Sequence, residues 1–180
     1  MVSTWLNGLV SGTVLSGAGY FGGGYATIAT VDKFAFSDDS RTTLGTGLSA
    51  GRWGAAGMAN SGTAGYFGGG STGSNVATVD KFAFSDDGRT TLGTGLSGAR
   101  RQLAGMANSG TAGYFGGGLE GSNVATVDKF AFSDDGRTTL GTGLSAARRA
   151  LAGMANSGTA GYFGGGYTGS YVATVDKFAF

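Results

Sequence analysis

A block of 48 residues is written three times in succession, over 37–84, 85–132 and 133–180, and 39 of its positions are identical in all three copies. Each copy opens on Ser-Asp-Asp and closes on Val-Asp-Lys-Phe-Ala-Phe. The stretch before them, 1–36, is a shorter and more divergent unit that keeps Gly-Tyr-Phe-Gly-Gly-Gly at Gly19–Gly24 and the closing hexapeptide at Val31–Phe36. A period in the forties means one supersecondary unit repeated, so 1–180 reads as a single repeat domain.

Glycine decides what that unit is made of. It supplies 39 of the 180 residues and interrupts the chain every ten residues or so, and each glycine inside a helix costs about 1 kcal/mol relative to alanine. Strand-length segments fit instead. In the last unit they are strand A over Leu151–Asn156, B over Thr159–Phe163 and C over Val172–Phe180, with D, over Arg137–Leu144, at the head of the unit. Strand C is rich in Val, Thr and Phe, as pleated surfaces prefer. "NSGT" at Asn156–Thr159 and "SDDGR" at Ser133–Arg137 read as tight hairpin turns, with glycine expected to supply the positive φ. The dense Ala and Gly of strand A suit a strand crowded around a central axis. The expected class is all-β.

The runs "RRALAGMANSGTAGYFGGG", "VATVDKFAF" and "RTTLGTGLSAAR" together resemble the kelch repeat: a basic residue, a small-residue strand, an aromatic strand ending in glycines, an outward strand and a final one. The resemblance covers nearly the whole chain and implies a β-propeller of four-stranded antiparallel blades, four per chain. It departs from the family pattern at strand D, where Leu44, Leu92 and Leu140 stand in place of the usual Trp. It implies little about activity, because the fold hosts many functions. Ser3–Leu9 can be laid on Thr42–Leu48, placing Trp5 at the missing Trp position; the N-terminus then either supplies a closing strand to a shared blade or is a disordered tail. Four blades could form a closed ring, half of an eight-blade ring built from two chains, or a piece of a longer array.

Composition narrows the chemistry. Without Cys or His the chain has no thiol nucleophile, no sulfur ligand and no imidazole base, so neither a cofactor nor a metal site is expected. Twelve basic residues against eleven acidic ones give no reason to expect nucleic acid. No apolar run approaches the ~18 residues of a membrane span, so membrane insertion is not expected, and "MVSTWLNGLV" lacks the pattern of a cleavable export signal. A glycosidase needs two carboxylates flanking a cleft, yet Glu120 is the sole Glu and the Asp residues lie in repeated turns or strands. "SDDGRTTL" is one residue short of the Asp-box of sialidase-type propellers, and the paired Asp at 38–39, 86–87 and 134–135 lack the spacing of a calcium loop. "GAGYFG" at Gly17–Gly22 matches a dinucleotide fingerprint without its βαβ context. Asp32, Asp80, Asp128 and Asp176 recur at one place in strand C, which points to a structural pairing with Arg52, Arg100 or Arg148; the alternative is one ligand pocket per blade, as in multivalent lectin propellers. No enzyme is expected.

What varies is confined. A meander places A–B and C–D turns at one end of each blade and B–C and D–A loops at the other, and eight of the nine variable positions fall in B–C and D–A segments. The ninth is Ser40, where the other units have Gly88 and Gly136. The loop face so defined carries Tyr25, Arg52, Trp53, Asn75, Arg100, Arg101, Gln102, Leu119, Glu120, Asn123, Arg148, Arg149, Tyr167 and Tyr171. Tyr, Trp and Arg are the types most enriched at binding hot spots, whereas neutral drift in solvent-facing loops would also vary them. The expectation is a non-enzymatic propeller binding a protein or glycan surface through this face. The alternative is a structural component of a virion, tail fibre or extracellular assembly, with a homo-oligomer completing the ring. The expected location is extracellular or virion-associated.

Overall fold

The computed structural model describes residues 17–180; Trp5 and the proposed closing strand at Ser3–Leu9 lie outside them. The described residues contain strands and no helix, arranged as four separate antiparallel sheets. Sheet I holds β1 (Ala18–Gly22), β2 (Val31–Ala35) and β3 (Arg41–Thr43). Sheet II holds β4 (Ala56–Asn60), β5 (Ala64–Gly68), β6 (Val79–Ala83) and β7 (Arg89–Thr91). Sheet III repeats this with β8 (Ala104–Asn108), β9 (Ala112–Gly116), β10 (Val127–Ala131) and β11 (Arg137–Thr139). Sheet IV holds β12 (Ala152–Asn156), β13 (Ala160–Gly164) and β14 (Val175–Ala179). Each sheet is a meander in chain order, and in sheets I, II and III the short outer strand comes from the head of the next sequence unit.

Alternation along the strands gives every sheet two working faces. In sheet II, Met58, Tyr66 and Lys81 lie in one cross-strand row, and Phe67, Asp80 and Thr91 in another. The first row faces sheet III. Ala56, Met58, Ala64, Tyr66 and Val79 of sheet II form one buried cluster with Leu96, Leu103, Phe115 and Phe130 of the module that follows. The same arrangement joins Met106, Tyr114 and Val127 to Leu144, Leu151 and Phe163, and Val31 to Leu48, Phe67 and Phe82. The core is therefore not one mass but three layers, each lying between successive sheets. Leu44, Leu92 and Leu140, at the position where the kelch pattern has Trp, pack against these layers from the end of each outer strand.

The layers are thin because glycine makes them so. A Cβ on Gly68 would stand 2.7 Å from the ring of Phe115, and one on Gly116 would stand 2.7 Å from Phe163. Sheets I, II and III thus each offer a side-chain-free slot that the next sheet's phenylalanine fills. Behind it Gly69 has φ +67 and lies against the Arg100 carbonyl, while the Gly70 amide donates to that same carbonyl at 2.9 Å. The invariant Gly-Gly-Gly is the seam between sheets. On the first strands of sheets II, III and IV a Cβ on Gly105 would stand 2.1 Å from the Gly57 carbonyl oxygen, and one on Gly153 2.2 Å from that of Gly105, so β4, β8 and β12 pack backbone against backbone.

Polar contacts fix the spacing. Tyr66 donates to Asp135 at 2.8 Å and Lys81 pairs with it at 2.7 Å, reaching from sheet II to the turn of sheet III. Tyr20 and Lys33 hold Asp87 in the same way, the lysine at 2.9 Å. Burial and the Asp135 carboxylate push the Tyr66 phenol well above its ordinary value, which keeps it a donor. Tyr20 also stacks on Phe84, Tyr66 on Phe132 and Tyr114 on Phe180.

One turn expectation is corrected. In the Ser-Asp-Asp turns the positive φ belongs to the second Asp, at Asp39 (φ 56), Asp87 (φ 57) and Asp135 (φ 57), and not to the glycine after it. Asp tolerates this conformation better than most side chains. The first Asp caps the turn, Asp86 accepting from the Gly88 amide at 2.9 Å and Asp38 from the Ser40 amide at 3.0 Å. Ser40 can therefore replace glycine, which accounts for the one variable position on that side.

The slot can be tested directly. Gly68→Ala is expected to lose about 1–3 kcal/mol by overpacking against Phe115. Gly93→Ala, where a Cβ meets nothing within 4 Å, is expected to stay within about 0.5 kcal/mol of wild type. Urea denaturation of both variants measures the contrast.

Candidate functional site

The recurring aspartate of strand C forms a buried lock at Asp80 and Asp128 and a partly buried one at Asp176, whereas Asp32 pairs with Arg41 at 3.1 Å instead of with any of Arg52, Arg100 or Arg148. Asp80 accepts from the Ser49 amide at 2.8 Å and hydroxyl at 2.9 Å, from Arg52 Nη2 at 2.7 Å and from the Thr91 hydroxyl at 2.7 Å. Asp128 repeats the set with Ser97, Arg100 and Thr139, and Asp176 pairs with Arg148 at 2.8 Å. Each arginine also donates to a strand B carbonyl, of Phe67, Phe115 or Phe163. The lock ties the segment entering a sheet to that sheet's second and third strands. The pairing with Arg52, Arg100 and Arg148 read from the sequence is present, and its consequence is a correction. Those three arginines are buried and leave the set of residues presented at the surface.

Above the locks the variable positions come together. Isolated bridges join Trp53 to Ser71 and Ser71 to Asn75, Arg101 to Leu119 and Leu119 to Asn123, and Arg149 to Tyr167 and Tyr167 to Tyr171. Sheets II, III and IV therefore each carry on this side a triplet of neighbouring positions, one from the D–A segment and two from the B–C loop, and all three positions vary between units. The triplets are linked across sheets. Arg101 lies 5.0 Å from the centroid of Trp53 and donates to the Asn75 side-chain carbonyl at 2.7 Å, while the Asn75 amide donates to the Leu119 carbonyl at 2.8 Å. Arg149 lies 4.6 Å over Tyr167 and donates to Asn123 at 3.0 Å, and Asn123 donates to the Tyr167 carbonyl at 2.9 Å. Tyr167 and Tyr171 meet edge to face at 5.4 Å.

Some of this variation is compensated packing. A Cβ on Gly98 would stand 2.1 Å from Glu120 Oε1, and the other two units pair Ala with Thr at these places, Ala50 with Thr72 and Ala146 with Thr168. Gly51 replaces the Ala of other units because a Cβ there would meet the Thr27 carbonyl oxygen at 1.8 Å, beside the shortened loop of the first unit. Gln102 has φ 56; its amide donates to the Gly54 carbonyl at 2.7 Å and its own carbonyl accepts from Ala150 at 2.8 Å. Asn75 and Asn123 have both ends of their amides engaged. Sequence reading took these residues as surface contacts; the structure gives them work between sheets. The invariance of the A–B turns is likewise explained by packing, since Asn60 accepts from the Gly110 amide and Asn108 from the Gly158 amide, each at 2.7 Å.

What remains open to solvent is half aromatic. Tyr25 is 93% exposed, Tyr171 89% exposed, Glu120 exposed, and Trp53, Leu119, Tyr167, Arg101 and Arg149 partly so. Among the described residues no group of three acidic side chains is placed to hold a metal ion. No protein-family model matches the chain, and no curated protein matches it.

The lock makes a pH-dependent prediction. Burial pushes the Asp80 carboxyl up, but the Thr91 hydroxyl, the Ser49 donors and the Arg52 charge outweigh it and leave the group below its ordinary value; Asp128 behaves alike, its Ser97, Thr139 and Arg100 partners prevailing over burial. A carboxyl lowered in the folded state contributes stability above its unfolded value of about 3.9, and loses it as pH falls through the folded value. Asp128→Asn, which leaves Arg100 buried and unpaired, is expected to cost about 3–5 kcal/mol at pH 7. The gap to wild type is expected to narrow below about pH 4, as read by denaturation across pH.

Proposed function

We propose that the protein is a non-enzymatic binding module, a propeller of kelch type whose blades are the four sheets, and that it recognises a protein or glycan surface through the face built from its B–C and D–A loops. The observation that supports this reading is the bridging of variable positions into side-by-side triplets, joined from one sheet to the next by the Arg101–Asn75 and Arg149–Asn123 hydrogen bonds. Aromatic faces backed by guanidinium groups supply large contact area at low conformational cost. The rigid locks beneath hold them in place, so little ordering entropy opposes binding.

The test is a comparison on arrays of glycans and of candidate protein partners. Joint replacement of Trp53, Tyr167 and Tyr171 by alanine is expected to weaken any binding by at least about a hundredfold and leave the melting transition nearly unchanged. A ligand retained at full affinity by the triple variant places recognition elsewhere.

A further inference from the structure

Among the described residues, the two end sheets present copies of surfaces that mate elsewhere in the same chain. At the sheet IV end, Met154 is 70% exposed and Val175 61% exposed, whereas their counterparts Met106 and Val127 are buried. At the sheet I end, Phe21 is 68% exposed, whereas Phe67, Phe115 and Phe163 are buried in the slot of the preceding sheet or packed against it. Among the described residues neither surface is covered.

We infer that the sheet IV face docks onto the sheet I face of a second copy of this chain, repeating the junction that already joins the sheets. The match is residue by residue. Phe21 corresponds to Phe115 and Phe163, which fill the slots at Gly68 and Gly116, and Gly164 offers the same slot with only Val175 near it. Phe36 corresponds to Phe84 and Phe132, which stack on Tyr20 and Tyr66, and Tyr162 presents the same ring. Charge agrees as well: Tyr162 and Lys177 correspond to the Tyr66–Lys81 pair that holds Asp135, and the sheet I end offers Asp39 with the same positive φ. Met106 reaches Gly161 across the third junction, and Met154 has Gly19 as the equivalent target. One surface meets a different one, so the contact is heterologous: it closes a ring if the rotation allows, and otherwise extends a filament. The inference stands apart from the loop-face reading, because Trp53→Ala, remote from both ends, is expected to assemble like wild type.

Light scattering of the full chain from about 1 to about 100 μM is expected to give masses that are multiples of 17.7 kDa and rise with concentration. Phe21→Asp and Met154→Asp are each expected to weaken self-association by at least about tenfold, with circular dichroism showing both folded. Mixed in equal amounts they are expected to pair, since the first retains an intact sheet IV face and the second an intact sheet I face. A wild-type mass fixed at one chain over the whole range overturns the inference, whatever the variants do. So does assembly of either folded variant at wild-type strength, or failure of the folded pair to complement.

Discussion

Every element of this protein is placed by how closely one sheet can approach the next. The approach is set at the glycine slots, where a phenylalanine ring from the following module occupies the space that a single methyl group would take. Burying such a ring contributes about 1.5–3 kcal/mol, and the slot recurs at Gly22, Gly68 and Gly116. Because the rings are buried between sheets and not within one, no sheet has a complete core of its own. Stability resides in the junctions, as in repeat arrays generally.

The buried Arg–Asp locks follow from the same geometry. When sheets close to this distance, the connecting segment must cross from an outer strand to the next inner strand through a narrow space, and its backbone polar groups need partners. Asp80 and Asp128 meet that need by accepting from a serine amide and hydroxyl while pairing with an arginine. A buried ion pair is weak evidence for net stability; its clearer effect is to give the crossing segment one conformation. That conformation sets Trp53, Arg101 and Arg149 beside the B–C loops. The surface proposed for recognition is thus positioned by chemistry that the partner never touches.

Much of the site was readable before the fold, and the errors have physical causes. Asp80 and Arg52 were paired correctly because their types recur together in each unit, but recurrence does not report depth, and the arginines were also taken as surface groups. Glu120 and Gly98 lie 22 positions apart and look like unrelated changes until the side chain is seen filling the space beside the glycine. The same holds for Gly51, whose methyl group is excluded by a carbonyl from a shortened loop. In the Ser-Asp-Asp turn, glycine was the natural choice for a left-handed residue, yet the second Asp adopts it whether or not its carboxylate has partners: Asp87 meets Tyr20 and Lys33 of the neighbouring sheet, and Asp39 takes the same φ without them.

The sequence by itself determined the all-β class and the places along the chain of the strand segments and of the turns between them, because these rest on local spacing and glycine excludes helices. It also determined that the modules stack, because identical units offer identical surfaces. Only the tertiary structure decided which variable residues reach solvent and which are matched to one another across a junction. It also decided that Met154 and Phe21 are exposed among the described residues while their copies are buried. Those outcomes depend on distances between groups that the chain order keeps far apart, and such distances exist only once the sheets have met.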